Sequence, residues 1–210
     1  MMSIRKILLI GATGATGQEL LPRLLSQGYA VTALVRRPEA VVLRDQNLTV
    51  VAGNLRNPAE IDAAVKDQDA VVCAFGPRDL KKDDIQETLM RNLVGAMVHQ
   101  GVKRLVNLSA WGVDETMRPH GVLQLVLQKG LLKNVFEDKR RGEKILLASG
   151  LDYVNVCPGR LLNKPARGSV KASLTGEGLK AIMTRGDLAD WMISQLTSDE
   201  WVRKSPLIGY

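Results

Sequence analysis

Cysteine, histidine and aromatic residues are scarce in this chain. Its 210 residues include two cysteines and two histidines, and aromatic residues make up 4%. The two cysteines, Cys73 and Cys157, stand in separate apolar runs, which argues against a disulfide scaffold and predicts two buried, inert thiols. No cluster of histidine, cysteine and carboxylate residues has the spacing of metal ligands, so we predict no metal.

Long apolar runs are missing as well. Only the apolar residues 7–10 separate Lys6 from a glycine-rich segment, which is too short for the apolar region of a signal peptide. No run elsewhere is long enough to span a bilayer. We therefore expect a cytoplasmic protein with no membrane partner.

The chain is basic but has no basic stripe. It carries 29 basic and 22 acidic residues, a net charge of +7. The basic residues are scattered or stand beside acidic ones, and few aromatic rings are available for stacking, so no nucleic acid partner is expected. The excess charge instead favours anionic cofactors and substrates. With 45% hydrophobic residues and no linker, residues 1–210 are predicted to form a single domain.

A glycine-rich segment, residues 11–17 (GATGATG), follows the apolar run 7–10 and precedes a helical pattern. Unpaired amides at a helix N-terminus, at the positive end of the helix dipole, hold phosphate groups. Gly11 is predicted to allow the turn, Gly14 to leave room for a dinucleotide, and Gly17 to let the helix pack on the sheet. A glycine-rich turn without a ligand is the alternative. The predicted cofactor contacts are Gly11, Thr13, Gly14, Ala15, Thr16 and Gly17.

Two arginines at the end of the second predicted strand indicate which dinucleotide binds. The strand Ala30–Val35 is apolar and β-branched, and Pro38 stops it. An acidic residue at this tip accepts hydrogen bonds from the ribose hydroxyls of NAD, whereas guanidinium groups match the 2′-phosphate of NADP. Because Arg36 and Arg37 stand there, we predict NADP(H). The alternative is that both are solvated loop charges.

The rest of the chain alternates between strand and helix patterns. Further strands are predicted at residues 48–51, 69–75, 104–108, 169–174 and 206–209, and helices from Asn57 and Pro58, over 85–100 closed by Gly101, over 120–148 with a break at Gly130, and over 187–196 capped by Asp187. This order predicts an α/β fold, a Rossmann-type doubly wound parallel sheet with helices on both faces. Ligands bind at the carboxyl ends of such strands.

The tips of the third and fourth strands supply further predicted cofactor contacts, namely Asn54, Leu55, Phe75, Gly76 and Arg78. Asn54 is predicted to hydrogen-bond the adenine edge, and a turn-forming role is the alternative. Gly76 and the following Pro77 are predicted to pass close to the ribose or nicotinamide, where a side chain would collide with the cofactor.

Four segments make the chain resemble a known family: GATGATG at 11–17, LVRRP at 34–38, GNL at 53–55 and SGLDYVNVCPGR at 149–160. Over nearly its whole length the chain resembles the atypical short-chain dehydrogenase/reductases, specifically the NmrA-like and biliverdin reductase B (flavin reductase) group. The resemblance implies NADP(H) bound along the strand tips, a cofactor half over residues 1–110 and a small substrate-covering part over residues 111–210. It also implies that Pro158 and Gly159 lie beside the nicotinamide.

One departure from that family concerns proton transfer. Members with full dehydrogenase chemistry carry a tyrosine four residues before a lysine, which lowers the pKa of the tyrosine. With Lys139 at the lysine position, Val135 occupies the tyrosine position, and valine cannot exchange a proton. Ser109, at the tip of the fifth strand, matches the family's active-site serine, able to orient the nicotinamide carboxamide or donate to the substrate. The alternative is a serine that only ends the strand.

Two further residues are predicted to contact the substrate. Trp111 offers a ring to stack on a flat acceptor, or else packs as part of a lid. Arg160 stays charged and is predicted to bind an anionic group, with a structural salt bridge as the alternative. Neither His99, inside a helix, nor His120, in a polar stretch, is predicted to be catalytic.

Two functions are compatible with these residues. The first is an NADPH-dependent reductase that passes a hydride to a small planar acceptor such as a flavin, quinone or tetrapyrrole, since a conjugated acceptor needs little help from a protein acid. The second is a non-catalytic redox sensor of the NmrA type. A sugar-nucleotide epimerase is disfavoured by the missing tyrosine and the small C-terminal part. The apolar residues 122–127 fit either a monomer with a lipophilic cleft or a homodimer.

Overall fold

The chain forms a large, mostly parallel sheet flanked by helices in a computed structural model, which describes residues 4–76, 83–113 and 133–210. The described strands are β1 (Lys6–Ile10), β2 (Ala30–Val35), β3 (Leu48–Ala52), β4 (Ala70–Cys73), β5 (Arg104–Leu108), β6 (Asp152–Pro158), β7 (Arg160–Leu162), β8 (Lys171–Ser173), β9 (Ile182–Thr184) and β10 (Leu207–Gly209). The described helices are α1 (Gly17–Ser26), α2 (Pro58–Val65), α3 (Ile85–Gln100), α4 (Lys133–Leu147) and α5 (Arg185–Ser194), with a short 3-10 helix at Pro38–Ala40.

The eight-stranded sheet has the order β3-β2-β1-β4-β5-β6-β10-β8. Neighbouring strands from β3 to β10 run parallel, and β8 alone pairs antiparallel, with β10. The strand order reverses between β1 and β4, which creates a crevice at the carboxyl ends of those two strands. The predicted α/β doubly wound fold is therefore confirmed. Strands β7 and β9 form a separate parallel pair.

Strand β1 shows why the central strands are apolar throughout. Its residues alternate between two cores: Ile7 and Leu9 pack on the side of α1 and α5, whereas Leu8 and Ile10 pack on the side of α2, α3 and α4. All four side chains have no exposed surface. A strand covered by helices on both faces needs apolar residues at every position rather than at alternate ones.

Local capping signals explain several helix boundaries. Helix α2 begins where predicted, at Pro58, and the Asn57 side chain accepts a hydrogen bond from the Ala59 amide at 3.1 Å. Helix α3 has the predicted bounds, and Gly101 ends it with a φ of +73°, a conformation that glycine adopts without strain. Within the described parts of the chain, no helix combines the length and apolar character needed to cross a bilayer.

Two predictions for the C-terminal elements are corrected. The helix predicted to start at Asp187 begins at Arg185, and its cap is Thr184, whose side-chain oxygen accepts a hydrogen bond from the Asp187 amide at 3.2 Å. The strand predicted over 169–174 is shorter, Lys171–Ser173, because only those residues pair with β10. Of the helical segment predicted over 120–148, the part that contains Gly130 lies outside the described residues.

Candidate functional site

The glycine loop, residues 11–17, turns the chain from β1 into α1 at the crevice between β1 and β4. Gly11 has a φ of +89°, and a Cβ atom there would lie 2.7 Å from the Ala74 carbonyl oxygen. A Cβ atom at Gly17 would lie 2.1 Å from the carbonyl oxygen of Gly11. Both positions therefore require glycine, Gly11 for the turn and Gly17 for close packing of the loop.

Several main-chain amides of the loop have no partner among the described residues. No hydrogen bond within the described residues uses the amides of Ala15, Thr16 and Gly17 at the start of α1. A Cβ atom at Gly14 would meet only the Gly11 carbonyl oxygen, at 3.2 Å. Free amides at a helix N-terminus beside an uncrowded glycine fit the pyrophosphate of a dinucleotide. The binding roles predicted for Thr13 and the rest of the loop remain predictions.

Strand β2 lies next to β1, so its tip is adjacent to the glycine loop. Arg36 and Arg37 follow that strand and are exposed, and neither guanidinium has a hydrogen bond or ion pair within the described parts of the chain. Two cations without a partner among the described residues, next to the glycine loop, fit the 2′-phosphate of NADP. Whether they bind it remains a prediction.

The residues at the tip of β3 make hydrogen bonds and packing contacts within the protein. The Asn54 side-chain oxygen accepts a hydrogen bond from the Arg56 amide at 3.0 Å, and the Asn54 amide donates to Glu60 at 2.6 Å. Leu55 is only 8% exposed and belongs to the core under α2 and α3. These contacts favour the turn-forming interpretation of Asn54, and an adenine contact remains a prediction.

At the tip of β4, Phe75 is half-buried against the core of α2 and α3, and Gly76 is exposed. A Cβ atom at Gly76 would meet no atom of the described residues within 4 Å. No described contact within the protein therefore requires glycine at this position. The predicted contact between Gly76 and the cofactor stays a prediction. Pro77 and Arg78 lie outside the described residues.

The tip of β5 carries a buried pair of polar side chains. Ser109 is 5% exposed, and its amide donates to the Val156 carbonyl oxygen at 2.7 Å, which ties it to β6. The Ser109 hydroxyl donates a hydrogen bond to the carboxylate of Glu143, which is itself 6% exposed. Sequence reasoning missed Glu143. The available signal was its position four residues after Lys139, on the same face of α4.

Lys139 lies one turn before Glu143, and its ammonium group donates to the Leu108 carbonyl oxygen at 2.9 Å. Burial lowers the pKa of Lys139, and the negative charge of Glu143 opposes that effect. Next to both side chains is a cavity of about 20 Å³, which also contacts Phe75 and Asn107. Apolar side chains, among them Leu89 and Met90, line much of the cavity, and its size leaves room for about one water molecule.

The remaining predicted residues follow β5 and β6. Trp111 is 2% exposed and packs with Cys157 and Leu207, so its described contacts favour packing, and stacking on an acceptor remains a prediction. Pro158 accepts a hydrogen bond from the Trp111 amide at 2.8 Å. A Cβ atom at Gly159 would lie 2.2 Å from the Ala181 carbonyl oxygen, which explains that glycine by packing.

Arg160 is exposed and has no ion pair among the described residues, so the salt-bridge alternative lacks a partner there. Cys73 and Cys157 are buried as predicted and form no disulfide among the described residues, and burial raises the pKa of the Cys73 thiol. His99 lies on the exposed side of α3, where its Nδ1 is 2.7 Å from the Asp62 Oδ1. His120 lies outside the described residues. In the described ranges no group of three or more histidine, cysteine and carboxylate residues could hold a metal ion.

Comparison with known proteins agrees with this geometry. The uncharacterized sugar epimerase YhfK of Bacillus subtilis is 32% identical over 208 residues, which cover 91% of this chain and 87% of that protein. A short-chain dehydrogenase/reductase of Veillonella parvula in complex with NADP has a TM-score of 0.81 at 20% identity and covers 99% of this chain and 95% of that chain. ChuY, an anaerobillin reductase of Escherichia coli O157:H7, has a TM-score of 0.83 at 18% identity and covers 97% of this chain and 96% of that chain.

The fold of these structures agrees with the resemblance drawn from the sequence. At identities below 25%, the two solved structures speak to the fold alone. The family model described as NAD(P)H-binding matches residues 11–199, from the first glycine of the loop to the end of the C-terminal helix region. The chain therefore belongs to the NAD(P)H-binding family.

Proposed function

We propose that this protein is an NADPH-dependent reductase that transfers a hydride to a conjugated planar acceptor such as a flavin, quinone or tetrapyrrole. The observation that carries the proposal is the arrangement at one edge of the sheet. Loop amides lie at the β1 tip and two arginines at the neighbouring β2 tip, all without a partner among the described residues, and Ser109 lies on the opposite side, at the β5 tip. A dinucleotide laid along this edge reaches all three.

Each part of this edge has a separate task in the proposed reaction. The glycine loop binds the pyrophosphate through main-chain amides, and Arg36 and Arg37 bind the 2′-phosphate. Ser109 orients the nicotinamide end. When bound, NADPH supplies a hydride from its nicotinamide ring. Catalysis by these residues then depends on positioning, since none of them is placed to act as a strong acid.

The choice of a conjugated acceptor rests on Val135 and Lys139. Valine at the expected tyrosine position offers no exchangeable proton, and the Lys139 ammonium is engaged with the Leu108 carbonyl. An acceptor that delocalises charge can take its proton from water. One protein that shares this fold, ChuY, is an anaerobillin reductase. We propose that the reductase works in the cytoplasm as a monomer or homodimer, without nucleic acid or membrane partners.

A test of this function is the oxidation of NADPH and of NADH, followed at 340 nm, against flavins, quinones and tetrapyrroles. We expect oxidation of NADPH with at least one acceptor and slower oxidation of NADH. Gly14→Val should abolish the oxidation of both coenzymes, because the added side chain fills the space that the pyrophosphate would occupy. Equal rates with NADH would contradict the assignment of the arginines.

Cofactor choice has its own test in the two arginines. Arg36→Ala and Arg37→Ala should each weaken NADPH binding by roughly tenfold and leave NADH binding unchanged, because each removes a charge-assisted hydrogen bond to the 2′-phosphate. Arg44→Ala is the matched control, because Arg44 is an exposed arginine of the same region whose guanidinium donates to the Val41 carbonyl oxygen at 2.7 Å. Titration calorimetry measures all three.

A redox sensor is the second candidate. The polar side chains at the β5 tip already have hydrogen-bond partners within the protein, since Ser109 donates to Glu143 and Lys139 donates to Leu108. A site of this kind can bind a cofactor without turning it over. A sensor would bind NADPH in calorimetry and leave every acceptor of the panel unreduced.

A further inference from the structure

The buried pair of Ser109 and Glu143 determines which kind of ligand group can meet Ser109. A serine hydroxyl has one hydrogen to donate and two lone pairs that accept. An ionised carboxylate only accepts. Because the Ser109 hydrogen points to Glu143, the hydroxyl presents lone pairs alone to a ligand. The complementary ligand group is therefore an N–H or O–H donor.

Helix α4, which carries Glu143, is packed closely against the first turn of α3. Asp138, on α4, accepts hydrogen bonds from the amides of Gln86 at 2.9 Å and Glu87 at 3.0 Å, which fastens α4 to the first turn of α3. A Cβ atom at Gly142 would lie 2.9 Å from the Gln86 carbonyl oxygen, so the two helices touch directly beside Glu143. This packing leaves the Glu143 carboxylate little freedom to move away from β5.

The topology indicates which donor reaches Ser109. The exposed arginines lie at the β2 tip, on one side of the crevice, so the 2′-phosphate and adenosine belong to that side. The nicotinamide end must then extend over the tips of β4 and β5, where Ser109 lies. The reduced nicotinamide ring carries a carboxamide whose NH₂ group is its hydrogen-bond donor.

We propose that Glu143 is a positioning residue that fixes the Ser109 hydroxyl as an acceptor for the nicotinamide carboxamide. The inference rests on the cofactor part of the proposed function and adds a specific contact to it. Glu143 does not touch the ligand and acts through Ser109. Its effect is confined to ligands that carry the nicotinamide ring.

The test compares two ligands by calorimetry: NADPH and 2′-phospho-ADP-ribose, which has the same phosphates and adenosine but no nicotinamide. Glu143→Ala should weaken NADPH binding by about tenfold, the loss of one well-placed hydrogen bond, and leave the fragment unchanged. Glu143→Gln keeps an oxygen that accepts from Ser109 and should bind NADPH within about threefold of the wild type. Ser109→Ala combined with Glu143→Ala should be no weaker than Ser109→Ala alone.

Several results would overturn the inference while leaving the proposed function intact. They are unchanged NADPH binding by Glu143→Ala, an equal loss for both ligands, failure of Glu143→Gln to restore binding, or additive losses in the double variant. A general folding defect would weaken binding of NADPH and of 2′-phospho-ADP-ribose equally, so the measurement with 2′-phospho-ADP-ribose reveals it. If the wild type binds neither ligand, the proposed function itself fails.

Discussion

Residues 4–76 and residues 133–210 differ in what they bury. In the first region the core is apolar, and Thr16 is its one buried polar residue. In the second region three carboxylates are buried: Asp138, Glu143 and Asp187. Burying a carboxylate is costly unless hydrogen bonds satisfy it, so each marks a place where the fold requires a particular side chain.

The three carboxylates have one structural task in common, which is to join elements distant in sequence. Asp138 joins α4 to α3, and Glu143 joins α4 to the tip of β5. Asp187 joins α5 to the amides of Arg167 and Gly168 and to the Tyr210 hydroxyl. In the first region, by contrast, close backbone contacts at Gly11 and Gly17 fix the shape of the glycine loop. We infer that the amino-terminal edge depends on backbone shape, whereas the carboxyl-terminal region depends on side-chain chemistry.

The largest effect is expected from Gly17→Ala, which challenges the first half of this comparison. The added methyl would lie 2.1 Å from the Gly11 carbonyl oxygen and 2.7 Å from the Ala12 Cα, both backbone atoms that cannot rotate away. We expect a loss of at least about 3 kcal/mol in the free energy of unfolding, measured by urea denaturation.

The matched control for that variant is Gly95→Ala in the middle of α3. A Cβ atom at Gly95 would meet nothing within 4 Å, and the position is exposed. Alanine should therefore stabilise the helix by about 0.5–1 kcal/mol. If both variants lost the same stability, the close contact at Gly17 would not be the cause.

Asp187→Asn tests the second half of the comparison. Burial on its own would raise the pKa of Asp187, but hydrogen bonds from Thr184, Tyr210 and the amides of Arg167 and Gly168 outweigh it and lower the pKa to about 2. An unfolded aspartate has a pKa of about 3.9, so the difference corresponds to about 2–3 kcal/mol of stability at neutral pH. We expect asparagine to lose about that amount.

The same shift fixes the sign of the pH dependence. The unfolded chain takes up the proton first, so the contribution of Asp187 is complete above about pH 5 and is lost as the pH falls toward the folded pKa. The stability of the wild type should therefore fall more steeply than that of Asp187→Asn between about pH 5 and pH 2. Parallel curves, obtained by urea denaturation at each pH, would show that Asp187 is not the group that titrates.

Elements with strong local signals could be predicted from the sequence. The bounds of Ala30–Val35 and Ile85–Gln100 followed from apolar patterning, from Pro38 and from the glycine that ends the helix. The glycine loop was recognised because a strand, a turn and a helix must follow one another within a few residues. Such signals lie in neighbouring residues, and tertiary contacts do not override them.

The buried carboxylates could not be predicted in the same way. Glu143 stands in a charged stretch, EDKRRGEK, and its position four residues after Lys139 is the one sequence signal that sets it apart from the solvated acids beside it. Its partner Ser109 is distant in sequence, and only the packing of α4 on α3 brings them together. Thr184 and Asp187 do have the spacing of a capping box, so that cap was available in the sequence and was assigned to the wrong residue.

The smallest effect is expected from Asn57→Ala, which compares a cap of the first region with the cap network around Asp187. The Asn57 side chain accepts from the Ala59 amide at 3.1 Å, and α2 starts at the half-exposed surface, where water can replace the lost hydrogen bond. We expect a loss of about 1 kcal/mol, and Asn57→Ser should restore most of it. If Asn57→Ala lost as much stability in urea as Asp187→Asn, burial would not be what separates the two regions, and the difference between them would lie in the number of hydrogen bonds alone.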